Sequence, residues 1–223
     1  GKAGVDIDLA FDGHTVLYEH DGNPFTMQDL AALLSGGSSK EFESTETIGR
    51  FGTGFLVTHV LSPQISFTGV LAAEGGAEEV SILLDRAGDE EDIFKNTARC
   101  YQAIEAASKL PSLDGRKTAR FQYETDNPQA ARIGVEAFCS TLPYLYGTCE
   151  HLGTVRLRND AGISWRFVPE AAAEREFMGL HLRVRRFTLT EGDGVPRTLS
   201  AVRLRRRHDS SSSLVAVTEH AGD

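Results

Sequence analysis

Alternation of apolar and polar residues at every second position governs what this 223-residue chain can fold into. Val5, Ile7, Leu9 and Phe11 set the pattern at the start, and 14–19 continues it after Asp12-Gly13. The same period returns in 64–71, in Glu78, Val80, Ile82 and Leu84, and in 118–123. Later it marks 153–158, 163–168, 181–190, 198–206 and 214–218. Only a strand places successive side chains on opposite faces, so each segment predicts a half-buried strand. Asp12-Gly13 predicts a tight hairpin turn, because both central residues of such a turn need positive φ.

Between these segments the period changes. Met27, Leu30, Ala31, Leu33 and Leu34 lie on one helical face, and Thr26 with Asp29 forms an acidic variant of the capping box. Gly36-Gly37 stops that helix, and 38–48 is polar and aperiodic, which predicts a loop. A helix over 93–110 follows Asp89-Glu90-Glu91-Asp92, acids that complement its positive end and read as a solvated cap. After Asn127-Pro128, Ala131, Val135, Phe138, Leu142 and Leu145 mark a further helix; Pro143 follows, and Gly147 ends the region. Ser210–Ser213 reads as a short loop between strands. Strands and helices in this order predict an α+β protein.

Composition narrows the function classes. With 40% apolar and 25% charged residues the chain can bury a core, and no apolar run approaches the roughly 20 residues of a membrane helix. Cys100, Cys139 and Cys149 are widely spaced and lack a zinc-site pattern, so the reading expects a reducing, cytoplasmic setting and no metal held by cysteine. Net charge is -9 but unevenly spread. Residues 1–125 carry 10 bases against 20 acids, whereas 126–223 carry 13 against 12, and all 13 are arginines. A general nucleic-acid coat is disfavoured.

Gly49-Arg50-Phe51-Gly52-Thr53-Gly54-Phe55 fits G-x-x-G-x-G and runs into the apolar segment 55–61. Glycines let backbone N–H groups approach an anion, and a following helix adds its positive end, so the stretch reads as a phosphate cradle. It does not follow a strand, as the dinucleotide fingerprint does, and lacks the G-K-[ST] ending of a P-loop.

Taken in order, a strand, Asp21-Gly22, a short helix, Gly36-Gly37-Ser38-Ser39-Lys40 and then Gly49 to Phe55 resemble the GHKL or Bergerat-fold ATPase superfamily. The likeness is nearest to bacterial proteins with a sacsin-like or heat-shock-chaperone-like ATP-binding domain. It implies an α/β sandwich, a mixed and mostly antiparallel sheet covered by helices, over 1–125. A smaller, mostly β transducer-like domain over 126–223 would follow. ATP with Mg²⁺ is the implied ligand, and a homodimer of the full-length protein the implied assembly.

The resemblance also implies residue roles. The family's D-x-G aspartate reads the adenine amino group; His20-Asp21-Gly22 sets either His20 or Asp21 there, and strict spacing gives His20. Asp21 has the acceptor chemistry for an exocyclic amine, and reads equally as a turn residue. Ser38, Ser39 and Lys40 begin the implied ATP lid, where hydroxyls and an ammonium reach phosphate. Gly49, Gly52, Thr53 and Gly54 present N–H groups to the β- and γ-phosphates. Phe51 and Phe55 read better as hinge and core packing, and Arg50 as solvent-facing or on the γ-phosphate. Thr118 matches the threonine of the adenine-side water network, with ordinary strand propensity as the plain reading.

The hydrolysing members carry their glutamate and Mg²⁺-holding asparagine on a helix before the first hairpin. This chain opens directly on the hairpin and without a methionine, so the reading expects a piece of a longer protein and names no catalytic residue; Glu19 and Glu46 do not sit at the family's position. Three functions stay open: an ATP-binding module of a chaperone-like or defence-type ATPase, a nucleotide-sensing scaffold without turnover, and a MutL-type DNA-processing ATPase. The third would use the arginines at alternate positions, Arg156 and Arg158, Arg183 and Arg185, and Arg203, Arg205 and Arg207. The plainer and preferred reading of those arginines is a solvated sheet face with interleaved acids.

Overall fold

The computed structural model describes residues 4–35, 55, 57–73, 76–105, 118–206 and 209–220. They form an α+β fold in which the strands pair mostly antiparallel, as the alternation predicts. The chain divides into two compact units, His14–Ala131 and Gly1–Gly13 with Arg132–Asp223.

In the unit His14–Ala131, β2 (Thr15–His20), β5 (Ala119–Glu124), β3 (Gln64–Ala73) and β4 (Gly76–Asp85) pair antiparallel in that order. One face of this sheet buries Val16, Phe67, Ile82 and Phe121. The other carries polar partners such as Thr68 with Ser81 (3.3 Å) and Arg120 with Glu19 (2.7 Å). An antiparallel sheet covered on one side produces this division.

Two helices follow their predicted caps. In α1 (Met27–Ser35) the Thr26 hydroxyl accepts from the Asp29 N–H at 3.1 Å, and the Asp29 carboxylate accepts from the Thr26 N–H at 2.8 Å. α2 (Glu90–Glu105) starts three residues before the expected 93: Asp89 alone caps it, its carboxylate accepting from the N–H groups of Glu91 and Asp92, and the other acids form the first turn. α2 packs on β4 and α1, where the buried Cys100 thiol donates to the Leu83 carbonyl at 3.0 Å. The expected helix over 55–61 is helical at Phe55 and Val57 and tightens into a 3-10 turn at Thr58–Val60. The Thr58 hydroxyl donates to the Phe55 carbonyl at 2.6 Å.

In the other unit, β1 (Val5–Phe11) pairs in parallel with β6 (Leu152–Arg158). Beyond β6 come β7 (Ser164–Pro169), β9 (Leu180–Glu191), β10 (Arg197–Arg206) and β11 (Asp209–Glu219), each antiparallel to the one before. β8 (Ala173–Phe177) pairs with the early half of β9. α3 (Pro128–Thr148) supplies Leu142 and Tyr146 to a core with Val155, Phe167, Phe187 and Ala201. This helix runs through Pro143 without ending there.

Three expectations are corrected. β8 escapes the alternation rule because its residues are exposed and Glu174, Arg175 and Glu176 are all charged, the composition of a protected edge. Its two-residue turn, Met178-Gly179, has φ of 49° and 76°, the geometry of a primed hairpin. Ser210–Ser213, expected as a loop, lies within β11: Ser213 pairs with Arg205 and Asp209 with Arg206, and the register shift between those two pairs takes up the three serines between them.

The third concerns the arginines. Arg156 and Arg158 are exposed as expected, but Arg183 and Arg185 are only 9% and 6% exposed. They share a face of β9 with the core residues Phe187 and Leu189. Arg185 is spent inside the fold. Its guanidinium donates to the Cys149 and Leu152 carbonyls at 2.9 and 2.7 Å, just past the end of α3. It also lies 5.3 Å from the centre of the Tyr146 ring.

Candidate functional site

The His20-Asp21-Gly22 segment leaves the end of β2 and meets Thr118 at the start of β5, 96 positions after Gly22 in the chain. The Thr118 hydroxyl donates to the Gly22 carbonyl at 2.7 Å, and the Thr118 N–H donates to the His20 carbonyl at 3.0 Å. On the far side of the segment Phe25 is pinned to β3. Its N–H donates to the Val70 carbonyl at 2.9 Å, and its carbonyl accepts from the Ala72 N–H at 2.7 Å. The turn Asp21–Pro24 is therefore clamped at both ends by backbone that the sheet itself holds.

Aromatic rings lie beside the clamp. Phe25 stands edge-on to Phe67 at 5.3 Å, Phe67 meets Phe121 at 4.9 Å, and Phe55 meets Phe121 at 5.5 Å. His20 joins this group at 5.9 Å from both Tyr18 and Phe25. The missing side chain of Gly69 makes the packing possible. A Cβ there would stand 2.3 Å from the Phe67 ring, so only glycine leaves the ring its place. Burial pushes the Tyr18 hydroxyl up to about 12 and raises that of Tyr123, whose contact with Thr58 opposes the rise.

The histidine is turned back on its own segment. Its Nδ1 accepts from the Gly22 N–H at 3.1 Å, which in the neutral ring leaves the proton on Nε2. Strict D-x-G spacing thus puts an N–H donor where a carboxylate would offer two acceptors, and Asp21 is the carboxylate of the turn. Glu19, the other nearby acid weighed from the sequence, is ion-paired to Arg120 at its cross-strand position.

Of the sequence-derived site residues, the structure brings His20, Gly22 and Thr118 together, with Asp21 in the clamped turn and Phe55 in the adjoining aromatic group. Ser38, Ser39, Lys40, Gly49, Arg50, Phe51, Gly52, Thr53 and Gly54 lie outside the described residues, as does Glu46. Sequence reasoning missed the clamp at Phe25, whose signal is a backbone bridge to Leu71 that no side-chain pattern encodes.

No family model matches the chain, and no curated protein matches it. Among solved structures it is similar to the ATPase region of Saccharomyces cerevisiae topoisomerase II, at 13% identity and a TM-score of 0.46, over 81% of this chain and 52% of that one. It is also similar to the ATP-binding domain of Francisella tularensis topoisomerase IV, solved with a small-molecule inhibitor, at 10% identity and a TM-score of 0.41, again over 81% and 52%. This chain spans about half the length of each.

Proposed function

We propose that the unit His14–Ala131 is an ATP-binding module of the GHKL type, acting with Mg²⁺ in a larger ATPase of chaperone-like or defence type. The observation that carries this reading is the clamp of Thr118 on Gly22, which joins two motif positions far apart in sequence into one turn. In this reading the Asp21 carboxylate accepts from the adenine amine, and Gly22 gives the base room against backbone. Thr118 orders the turn from behind. Ser38, Ser39, Lys40 and the Gly49–Gly54 stretch hold the phosphates, and lid closure with dimerisation couples the nucleotide to movement.

Calorimetric titration with ATP and ADP in Mg²⁺ tests it. Saturable heat is expected, and Asp21→Ala should weaken binding by about tenfold or more, the effect of losing one charge-assisted contact. Absence of heat at millimolar nucleotide would overturn the reading. The DNA-processing alternative draws no support from Arg183 and Arg185, which are engaged within their own unit.

A further inference from the structure

Where α3 ends, the covered face of the C-terminal sheet changes from apolar to basic. Moving along β9 from Phe187 toward its start, the inward positions become Arg185, Arg183 and His181. The register places Arg203 of β10 directly opposite Arg183, and Glu174 of β8 opposite it on the other side. One step further, Arg205 lies opposite His181. A cavity of about 100 Å³ opens among Glu150, Glu174, His181, Arg183, Arg203 and Arg205.

The charges in this cavity do not balance. Three arginines face two glutamates, and both glutamates are already paired. Glu150 bonds Arg183, while Glu174 lies 3.5 Å from His181 and 3.9 Å from the Arg183 Nε. No such partner falls to Arg203 or Arg205 among the described residues. The Nε–H groups of Arg183 and Arg203 are buried without an acceptor there, on strands that face each other. Two guanidiniums directly opposite across a ladder repel, and buried donors without acceptors oppose folding. Both problems end if an anion with several acceptor oxygens sits between them.

We propose that this cavity is a binding site for a phosphoryl oxyanion, held by Arg203 and Arg205 with Arg183 behind them. Size and geometry select the ligand. The space is well under the roughly 300 Å³ at which small-molecule pockets begin, so it takes a single phosphoryl group and excludes a nucleoside. A carboxylate binds one guanidinium in a plane, and the chain already supplies two. A tetrahedral oxyanion offers oxygens in several directions, as arginines arriving from neighbouring strands require. The site is separate from the nucleotide reading, since all its residues belong to the other unit.

Thermal melting and phosphorus NMR titration of the 223-residue chain test it, with inorganic phosphate and glycerol phosphate compared against chloride at equal ionic strength. Phosphate should raise the melting temperature in a saturable way. Arg203→Gln with Arg205→Gln should weaken that binding by about tenfold or more while leaving melting in chloride unchanged or higher, because neither side chain gives up an ion-pair partner among the described residues. Binding of inorganic phosphate alone identifies a free-ion site, and binding of both identifies a phosphomonoester site. No stabilisation beyond chloride, or equal stabilisation of the double variant, would overturn the proposal.

Discussion

Arg185 shows how one residue reverses the reading of a pattern. A cation 6% exposed is costly unless its donors are filled, and here the planar fork reaches two carbonyls beyond α3 while the Tyr146 ring lies close by. Burial lowers its pKa, and the Tyr146 hydroxyl opposes that shift. Tyr146 is fixed in turn, donating to the Gly153 carbonyl at 2.8 Å and stacking on Phe187 at 4.9 Å. Arg185→Met should therefore cost about 3 kcal/mol in urea denaturation, from two carbonyls left without donors and a lost cation-π contact. Arg185→Lys should recover only part of that loss, because an ammonium cannot reproduce the fork. An unchanged midpoint in the methionine variant would show that these contacts do not stabilise the fold. The sequence marked Arg185 by its spacing alone, and spacing carries no information about which face of β9 is covered.

At the scale of the element, β3 is the strand on which the candidate site depends. It pairs with β4 on one side and β5 on the other, and it receives the backbone of Phe25 at its far end. Gly69 within it looks like a weak point for a strand, yet its bare Cα makes room for the Phe67 ring. Gly69→Ala should push Phe67 against Phe25 and Phe121 and destabilise the chain by about 1–3 kcal/mol, the usual effect of overpacking. Gly69→Ala with Phe67→Leu should restore part of the loss. If the single alanine variant melted like the parent, the aromatic group would have to be looser than the geometry indicates. The caps at Thr26 and Asp89 were legible beforehand because they are local, each built from residues within three positions of one another. The course of α3 through Pro143 was not, since tertiary packing of Leu142 and Tyr146 outweighs the one missing backbone donor.

For the molecule as a whole, alkaline pH is the condition that probes both units together. Burial raises Tyr18 to about 12 from its ordinary 10.0, and raises Cys139 to about 11 from 9.0 with Glu191 adding to the shift. Burial also moves Tyr123, Tyr146 and Cys100 upward. A raised pKa means the folded state keeps protons that the unfolded chain has released. This contribution is complete below about pH 9 and is lost as pH rises through 11 to 12. Unfolding free energy measured from pH 8 to 12 should fall steadily, and Tyr18→Phe should flatten the decline. A flat profile in the parent chain would contradict the burial of these groups. Alternation, turn glycines and caps were enough to determine most strands, the start of α1 and the α+β class, because these depend on contacts between near neighbours in sequence. Only tertiary structure decided that β1 pairs with β6, that Thr118 closes on Gly22, and that Arg183 and Arg185 point inward. The physical reason is that a period of two fixes which residues share a face, while the choice of buried face depends on partners over a hundred residues away or on where a covering helix ends.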